Sequence, residues 1–209
     1  MAEKRSYRSP LRKAQAGQTR ELILASVCEL ASAGHIDDLS MRQLADSAGV
    51  SERTIYRYFP DRQALLNGLT DWLSERMGTG PLESTVTTID ELAEIVPEVF
   101  GRFDAEAQMA RAAMLVGPDP ANPTEDARRR SEMMSELITA SFPDLTEAER
   151  HGLLALVRSL VNSGTWWRMR EEFGLTGRDS GALVGWMLKT AFTEVRRTGT
   201  VGRMGAAPT

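Results

Sequence analysis

The segment VSERTIYRYFPDR, from Val50 to Arg62, concentrates hydrogen-bond donors in a chain that is acidic overall. It holds three arginines and two tyrosines, whereas the 209-residue chain has a formal net charge of -4. Arg53 and Arg57 are four residues apart, so on a helix their guanidinium groups project from the same side. Such a pair can donate hydrogen bonds to the base edges or the phosphate oxygens of a nucleic acid.

Positive charge is concentrated at the N-terminal end of the chain. Residues 1–62 contain 10 Lys or Arg against 8 Asp or Glu, a balance of +2, and the remaining residues contain 15 against 21, a balance of -6. Residues 1–20 alone have a balance of +5. A basic region on an acidic protein indicates a polyanionic partner. A solvated basic tail explains the charge equally well.

A first helix is predicted from Thr19 and ends at Gly34, and two short helices after it are expected to position the donors. Ser40 and Gln43 have the spacing of a capping box, which predicts the start of one helix, and Gly49 ends it. Ser51 is a suitable N-cap for the next helix, which ends before Pro60. Because glycine lets the chain reverse sharply between the two, the pattern indicates a helix-turn-helix.

The second of these helices is predicted to have a buried side and a solvent side. Ile55 and Phe59, four residues apart, are predicted to face inward. Arginine and threonine on the other side can contact base edges, while tyrosine hydroxyls and Arg62 at the next helix start can reach phosphates. The outward set is Arg53, Thr54, Tyr56, Arg57 and Tyr58. For any one of these residues an exposed polar helix is the simpler interpretation, and only their combination favours DNA binding.

The stretch LSMRQLADSAGVSERTIYRYFPDRQALL resembles the DNA-binding head of TetR-type transcriptional regulators. The resemblance covers about residues 19–70. Its most specific part has a Gly-Val turn, then Tyr56, then Tyr58 followed by Phe59, and a basic residue at position 62. The resemblance implies a homodimer that represses nearby genes and an inducer pocket in the C-terminal body.

The resemblance also implies a role for each matching residue. It implies that Arg42 and Gln43 reach bases or backbone, and that Thr54 and Arg57 face base edges. It implies phosphate contacts or caps at five further positions: Ser40, Ser51, Tyr56, Tyr58 and Arg62. Arg53 completes the predicted DNA-binding set.

Three positions depart from the family pattern. Position 62 is usually Lys, and arginine keeps the charge. Position 53 is usually small, so Arg53 either adds a contact or points outward. Glu52 is unfavourable near phosphate unless it pairs with an arginine or accepts from a cytosine amino group. These departures concern which sequence is bound rather than DNA binding itself.

Downstream of the head the sequence indicates helix throughout and no strand alternation. The candidate helices are 87–103, 104–116, 124–141, 146–173 and 179–197. We therefore expect an all-α chain of about nine helices, with a three-helix DNA-binding head and a larger helical body. The expected divisions are a disordered basic tail at 1–17, a DNA-binding domain at 18–64, an effector-binding and dimerisation domain at 65–198, and a disordered tail at 199–209.

Large apolar side chains of the body are candidates for lining a cavity. Methionine adapts to irregular shapes and tryptophan offers a large face with one donor. Each of them is more simply a core residue, so the set depends on the resemblance, which favours a small lipophilic effector. The predicted ligand-binding residues are Phe100, Phe103, Met109, Met114, Met133, Met134, Trp166 and Trp167. Arg102, Arg111 and Arg168 could orient an anion.

The last two predicted helices have more apolar surface than one chain needs. This surplus fits a homodimer interface, with packing inside one chain as the alternative. Gly181 and Gly185 are expected to allow close approach there. The predicted interface residues are Leu156, Leu160, Leu183, Trp186, Met187, Thr190 and Ala191.

The sequence shows no catalytic or metal-binding pattern. Cys28 is the only cysteine, and His35 and His151 have no companions at metal-ligand spacing. There is no apolar run of 18 residues. We expect a cytoplasmic protein that is not an enzyme, without a cofactor, a metal or a membrane partner. Two alternatives remain: a DNA-binding regulator controlled by a protein partner, and a helical small-molecule-binding protein with a vestigial head.

Overall fold

The computed structural model of the protein describes residues 10–36, 38–77, 85–117 and 123–202. These ranges contain ten helices and no strand, which confirms the all-α prediction. None of the described helices is long and apolar enough to cross a bilayer. The helices are α1 (Pro10–Ser32), α2 (Met41–Ala48), α3 (Glu52–Tyr58), α4 (Arg62–Met77), α5 (Ile89–Ala105), α6 (Ala107–Val116), α7 (Glu125–Ser141), α8 (Glu147–Leu160), α9 (Ser163–Phe173) and α10 (Gly177–Thr198).

The first helix begins nine residues earlier than predicted. The sequence indicated a disordered tail to residue 17 and a helix from Thr19, whereas α1 begins at Pro10. Proline suits the first turn of a helix because the N–H that it lacks would have no intrahelical partner there. Ala14, Gln15 and Ala16 then favour helix strongly. The predicted disorder of residues 1–9 lies outside the described ranges.

The predicted helix at 146–173 is two helices, and Asn162 is the reason. Its Oδ1 accepts from the Thr165 backbone N–H at 2.9 Å, which caps the start of α9. Its Nδ2 donates to the backbone carbonyls of Arg158 at 3.0 Å and Ser159 at 2.9 Å. One asparagine thus satisfies the end of α8 and the start of α9, since both helix ends leave backbone groups unpaired.

The chain divides into two compact units, residues 1–69 and 70–209, with the boundary inside α4. We call them the head and the body. Ile55 and Phe59 are buried, which confirms the predicted inward side of α3. Fully buried side chains of this size each stabilise by about 1.5–3 kcal/mol. The head core that they share includes Ile23, Leu24, Val27, Leu44, Leu65 and Leu69.

In the body, α5 and α10 are paired helices that run antiparallel. Residue numbers rise along α5 as those of their partners fall along α10. Three ion pairs join the two helices: Asp90 with Arg196 at 2.7 Å, Glu94 with Lys189 at 3.0 Å, and Glu98 with Arg178 at 2.9 Å. Because these pairs are well exposed, each contributes at most about 1 kcal/mol. The close packing beneath them has to supply the rest.

That packing depends on three glycines spaced four residues apart, Gly177, Gly181 and Gly185. A Cβ at position 181 would lie 2.5 Å from the Cα of Pro97, and one at position 185 would lie 2.5 Å from the carbonyl oxygen of Ala93. Their side of α10 is therefore filled by α5 of the same chain. The prediction that Gly181 and Gly185 allow close approach at the dimer face was wrong for this reason.

The end of α10 is held by contacts that the sequence did not indicate. Gly199 ends the helix with a φ of 70°. The carboxylate of Glu149 then accepts hydrogen bonds from the Thr200 hydroxyl and from the Val201 backbone N–H, the latter at 3.4 Å. Residues 199–202 thus belong to the folded body rather than to the predicted disordered tail, and residues 203–209 lie outside the described ranges.

Candidate functional site

The capping box predicted at the start of α2 is confirmed. The Ser40 hydroxyl accepts from the Gln43 backbone N–H at 3.1 Å, and the Gln43 side-chain carbonyl accepts from the Ser40 backbone N–H at 3.0 Å. Gly49 ends α2 with a φ of 65°, a conformation that favours glycine. The carbonyl end of Gln43 is therefore held within the head, and its amide nitrogen is the end that remains to donate.

The N-cap predicted for α3 is confirmed as well. The Ser51 hydroxyl accepts from the Thr54 backbone N–H at 3.2 Å and shares a hydrogen bond with the Thr54 hydroxyl at 2.9 Å. The side chain of Thr54 is half-buried. Its hydroxyl is thus part of the helix cap, which fixes the orientation of this side chain before anything binds.

The exposed arginines of the head form no ion pair within the described part of the chain. Arg42, Arg53 and Arg57 all lie at the surface. The guanidinium carbon of Arg57 lies 5.1 Å from the centre of the Tyr58 ring, a cation–π contact that restrains it. Tyr56 is also exposed. Unlike Arg178 and Arg196 of α10, which are paired with α5 carboxylates, these arginines can bind an external anion without breaking an internal ion pair.

Arg62 has different surroundings from the other predicted DNA contacts. Its side chain is half-buried, and its guanidinium donates from Nη1 to the Leu39 carbonyl at 3.1 Å and from Nη2 to the Ile36 carbonyl. The side chain therefore fastens the start of α4 to the segment that precedes α2. Asp61 caps α4 by accepting from the Ala64 N–H at 2.7 Å. The phosphate contact of Arg62 stays a prediction beside this internal role.

Solved structures of several bacterial regulators share this fold. A TetR variant from Acinetobacter baumannii in complex with minocycline is 18% identical over 84% of this chain and 94% of its own, with a TM-score of 0.57. A tetR-family regulator from Streptomyces coelicolor is 17% identical over 89% and 86%, with a TM-score of 0.58. NalD of Pseudomonas aeruginosa, the secondary repressor of the MexAB-OprM multidrug efflux pump, is 17% identical over 83% and 96%, with a TM-score of 0.56.

A match within the head identifies its domain. Residues 23–69 match the model of the bacterial regulatory proteins of the tetR family. The head is a tetR-family DNA-binding domain. The match spans all of α2 and α3 and thus every residue of the predicted DNA-binding set from Ser40 to Arg62, so the chain is a DNA-binding transcriptional regulator. No curated protein matches the sequence of the chain.

The body contains a cavity of about 210 Å³. Of the eight predicted ligand-binding residues, Phe103 and Met134 line it. The other lining residues are Thr70, Leu73, Ser74, Met77, Ala113, Gly117, Ala127, Arg130, Ser131, Arg158, Val161, Asn162 and Ser163. Sequence reasoning did not find the polar ones, because it searched for aromatic side chains and methionines. Arg158 offered a signal, since it interrupts the apolar run LLALVRSLV of α8.

The remaining predicted ligand-binding residues lie elsewhere in the body. Phe100 and Trp166 are fully buried, and Trp166 donates from its indole N–H to Asp104 at 2.9 Å. Both are thus satisfied core residues. The half-buried ones do not line the described cavity: Met109, Met114, Met133 and Trp167.

The three arginines proposed to orient an anion are not at the cavity either. Arg168 is exposed and lies 3.9 Å from the carboxylate of Glu172. Arg111 stacks over Trp167, with 5.0 Å between its guanidinium carbon and the ring centre. Arg102 is half-buried on α5 and is absent from the cavity lining. The arginines that can orient an anion in the cavity are therefore Arg130 and Arg158, which line it.

The predicted dimer residues include an exposed apolar stripe. Trp186 is 67% exposed, and Leu183 and Met187 on the same helix are exposed too. Leu156 on α8 adds a further exposed apolar side chain. Of the other three, Thr190 is exposed, and Leu160 and Ala191 are half-buried. The interface itself stays a prediction.

No group of three or more His, Cys, Asp or Glu side chains in the described ranges could hold a metal ion. Cys28 is buried, and burial, with a smaller contribution from the neighbouring Glu29, raises the pKa of its thiol to about 11. A thiol with so high a pKa is almost entirely protonated at neutral pH and is a poor nucleophile.

Proposed function

We propose that the protein is a homodimeric repressor that binds a palindromic operator and is released from it by a small molecule. The observation that best supports DNA reading is the set of exposed head arginines, Arg42, Arg53 and Arg57, which form no ion pair within the described residues. Burying such charges against protein would be unfavourable, whereas phosphates and guanine edges are matched partners for guanidinium groups. We place the protein in the cytoplasm, without enzymatic activity.

In this proposal α3 is the helix that enters the major groove. Arg57 and Thr54 contact base edges, with Arg53 as a further candidate. Tyr56 and Tyr58 donate to phosphates on either side, and such contacts fix the register without reading sequence. The second set, on α2 and at its cap, contacts bases or backbone: Ser40, Arg42 and Gln43, with Ser51 at the cap of α3.

The apolar stripe of α10 supports the dimer, together with the exposed Leu156 of α8. Exposed apolar side chains at contiguous helical positions indicate a surface that another protein covers. In a symmetric dimer the same stripe meets itself, and two heads reach successive major grooves about 34–36 Å apart. Sedimentation analysis of Trp186→Asp tests this, and we expect a monomer that has lost most of its operator affinity.

Phe173→Asp is the matched control for the dimer test. Phe173 on α9 is 69% exposed, nearly the same as Trp186, and is outside the predicted interface. The Phe173→Asp variant should remain a dimer. A dimer that survives Trp186→Asp, or that Phe173→Asp disrupts equally, would contradict the assignment of the interface.

The cavity supports release by a small molecule. One solved relative binds minocycline and another represses a multidrug efflux pump, so a ligand-controlled body is the expectation for this fold. Binding would favour a conformation of the dimer whose heads no longer fit the operator, a shift of population. A screen of small molecules for release of labelled operator DNA separates this from control by a protein partner, in which no compound releases the DNA.

A further inference from the structure

The cavity combines an apolar wall with an arginine. Its larger apolar lining residues are Leu73, Met77, Phe103, Met134 and Val161. These side chains offer contacts to a hydrocarbon or aromatic group. The volume of about 210 Å³ exceeds the roughly 150 Å³ of an engineered cavity that binds benzene. A molecule with one ring and a short substituent, on the order of 10–14 non-hydrogen atoms, is therefore the expected size.

The charge of the lining is positive. Arg130 and Arg158 line the cavity, and no Asp or Glu is among the described lining residues. Arg130 lies 3.3 Å from the carboxylate of Asp126, which is not itself a lining residue. Burial raises the pKa of Asp126, but the hydrogen bond from Arg129, the charge of Arg130 and a hydrogen bond from Ser74 together lower it. Asp126 thus stays ionised and offsets the charge of Arg130.

Arg158 is the cavity arginine whose charge is not offset. Its one hydrogen bond within the described chain runs from Nη1 to the Ser131 hydroxyl at 3.4 Å, near the upper limit for such a bond. A guanidinium has five N–H donors and binds a carboxylate with two parallel bonds. An anionic ligand would therefore gain more from Arg158 than the protein loses.

Two features next to Arg158 also favour a negatively charged ligand. Ser163 begins α9 at the cavity wall, and a helix start carries positive partial charge and unpaired backbone N–H groups. The Ser131 hydroxyl can donate to a ligand oxygen once Arg158 turns to the anion. Asn162 also lines the cavity, but both ends of its amide are used by the adjoining helix ends.

We propose that the cavity binds a small organic acid, with the ring or chain against the apolar wall and the carboxylate on Arg158. This inference rests on the proposed function only in taking the bound acid as the effector. It names Arg158 as the residue that selects anions over neutral or cationic molecules of the same shape.

Three probes of one shape test the charge preference. The probes are 3-phenylpropanoate, the neutral 3-phenylpropanamide and the cationic 3-phenylpropylamine, titrated calorimetrically into the full chain. We expect the carboxylate to bind at least about tenfold more tightly than either of the others, because a hydrogen bond to a charged group is worth a factor of that order. Tighter binding of the amide or the amine would overturn the proposal, as would no binding of the carboxylate at millimolar concentration.

The second arm locates the preference at Arg158. Arg158→Met should weaken carboxylate binding about 10- to 100-fold and change amide binding by less than about threefold. Arg168→Met is the matched control, since that arginine is exposed, as Arg158 is, but does not line the cavity, and it should change neither. Carboxylate binding that is insensitive to Arg158→Met would overturn the assignment.

Operator release, measured with the same probes, separates the two proposals. A carboxylate that binds through Arg158 but leaves operator DNA bound supports the acid site and contradicts its role as effector site. Release of operator DNA by the amine or the amide rather than by the acid supports ligand control and overturns the acid site.

Discussion

Arg57 and Arg62 belong to the same short segment but have different surroundings. Arg57 is exposed, and among the described residues it has a cation–π contact with Tyr58 but no hydrogen bond or ion pair. Arg62 is half-buried and hydrogen-bonded to two backbone carbonyls. Their residue type and position in the segment predicted a DNA contact for both, and only the hydrogen bonds of Arg62 to the Ile36 and Leu39 carbonyls reveal its second role.

Arg57→Ala should lower affinity for the operator by about 1–3 kcal/mol, because it removes a base-edge contact. The melting temperature should stay nearly unchanged, since the side chain is exposed. Fluorescence anisotropy with operator and scrambled duplexes measures both affinities. Arg128→Ala, an exposed arginine of α7 in the body, is the control. Operator affinity equal to that of the unmutated protein would remove Arg57 from the base-reading set.

Arg62→Ala should have two effects that can be measured separately. Loss of a phosphate contact weakens binding to all sequences alike and flattens the salt dependence. Loss of the internal donors leaves the carbonyls of Ile36 and Leu39 without this partner and should reduce the free energy of unfolding by about 1–3 kcal/mol. DNA titrations at several salt concentrations measure the first effect, and thermal unfolding measures the second.

Arg62→Lys distinguishes the two roles. Lysine keeps the charge but cannot span two carbonyls with a planar fork. It should restore the salt dependence of DNA binding and only part of the stability. Full recovery of stability with lysine would show that the bridge to residues 36 and 39 contributes little.

At the scale of helices, the sequence predicted those helix ends that depend only on residues close together in the chain. The capping box at Ser40, the turn at Gly49 and the N-cap at Ser51 each depend on atoms within four residues, and each is confirmed. The break at Asn162 was missed because asparagine has the same local signature in many loops. The side of α10 that Gly181 faces depends on α5, some 85 residues away, which no local pattern specifies.

Gly181→Ala should reduce the free energy of unfolding by about 1–3 kcal/mol, the range for adding a methyl group to a tightly packed site. Its Cβ would meet the backbone of Pro97 at 2.5 Å, and backbone cannot rotate away. Chemical denaturation measures the change. Gly17→Ala in α1 is the control, because no atom lies within 4 Å and alanine favours helix by about 0.5–1 kcal/mol. A neutral Gly181→Ala would contradict the close approach of α5 and α10.

Glu149 should make the contact between the start of α8 and the end of α10 depend on pH. Hydrogen bonds from Thr200, and then from Thr146, lower the pKa of its carboxyl from 4.5 to about 2. Because the pKa is lower in the folded than in the unfolded protein, the ionised carboxylate stabilises the folded state. This stabilisation is fully present when the pH is above the unfolded pKa near 4.5, and it is lost as the pH falls towards 2. The difference in melting temperature between the unmutated protein and Glu149→Gln should therefore be present at pH 6 and shrink steadily below pH 4.5.

The control for this titration is Glu171→Gln, an exposed glutamate of α9. The difference in melting temperature between Glu171→Gln and the unmutated protein should stay small over the same pH range. A Glu149→Gln difference that is constant from pH 6 to pH 2.5 would contradict the hydrogen bonds to the Thr200 segment.

At the scale of the whole molecule, the head was more predictable than the body. The head's function follows from a segment of 13 residues whose geometry is local. The cavity is assembled from α4 to α9, so its arginines and serines could not be recognised together in the sequence. The apolar stripe of α10 is an intermediate case, because helical spacing predicted Leu183, Trp186 and Met187 as one stripe, and the structure leaves all three exposed.

The most direct test of the central claim is selection of random DNA duplexes by the purified protein at about 150 mM salt, where nonspecific phosphate binding is weak. We expect enrichment of a palindrome whose half-sites are about one helical turn apart, and loss of that enrichment with Arg57→Ala. Enrichment of no sequence, by a protein that is folded and dimeric, would contradict the claim that α3 reads DNA.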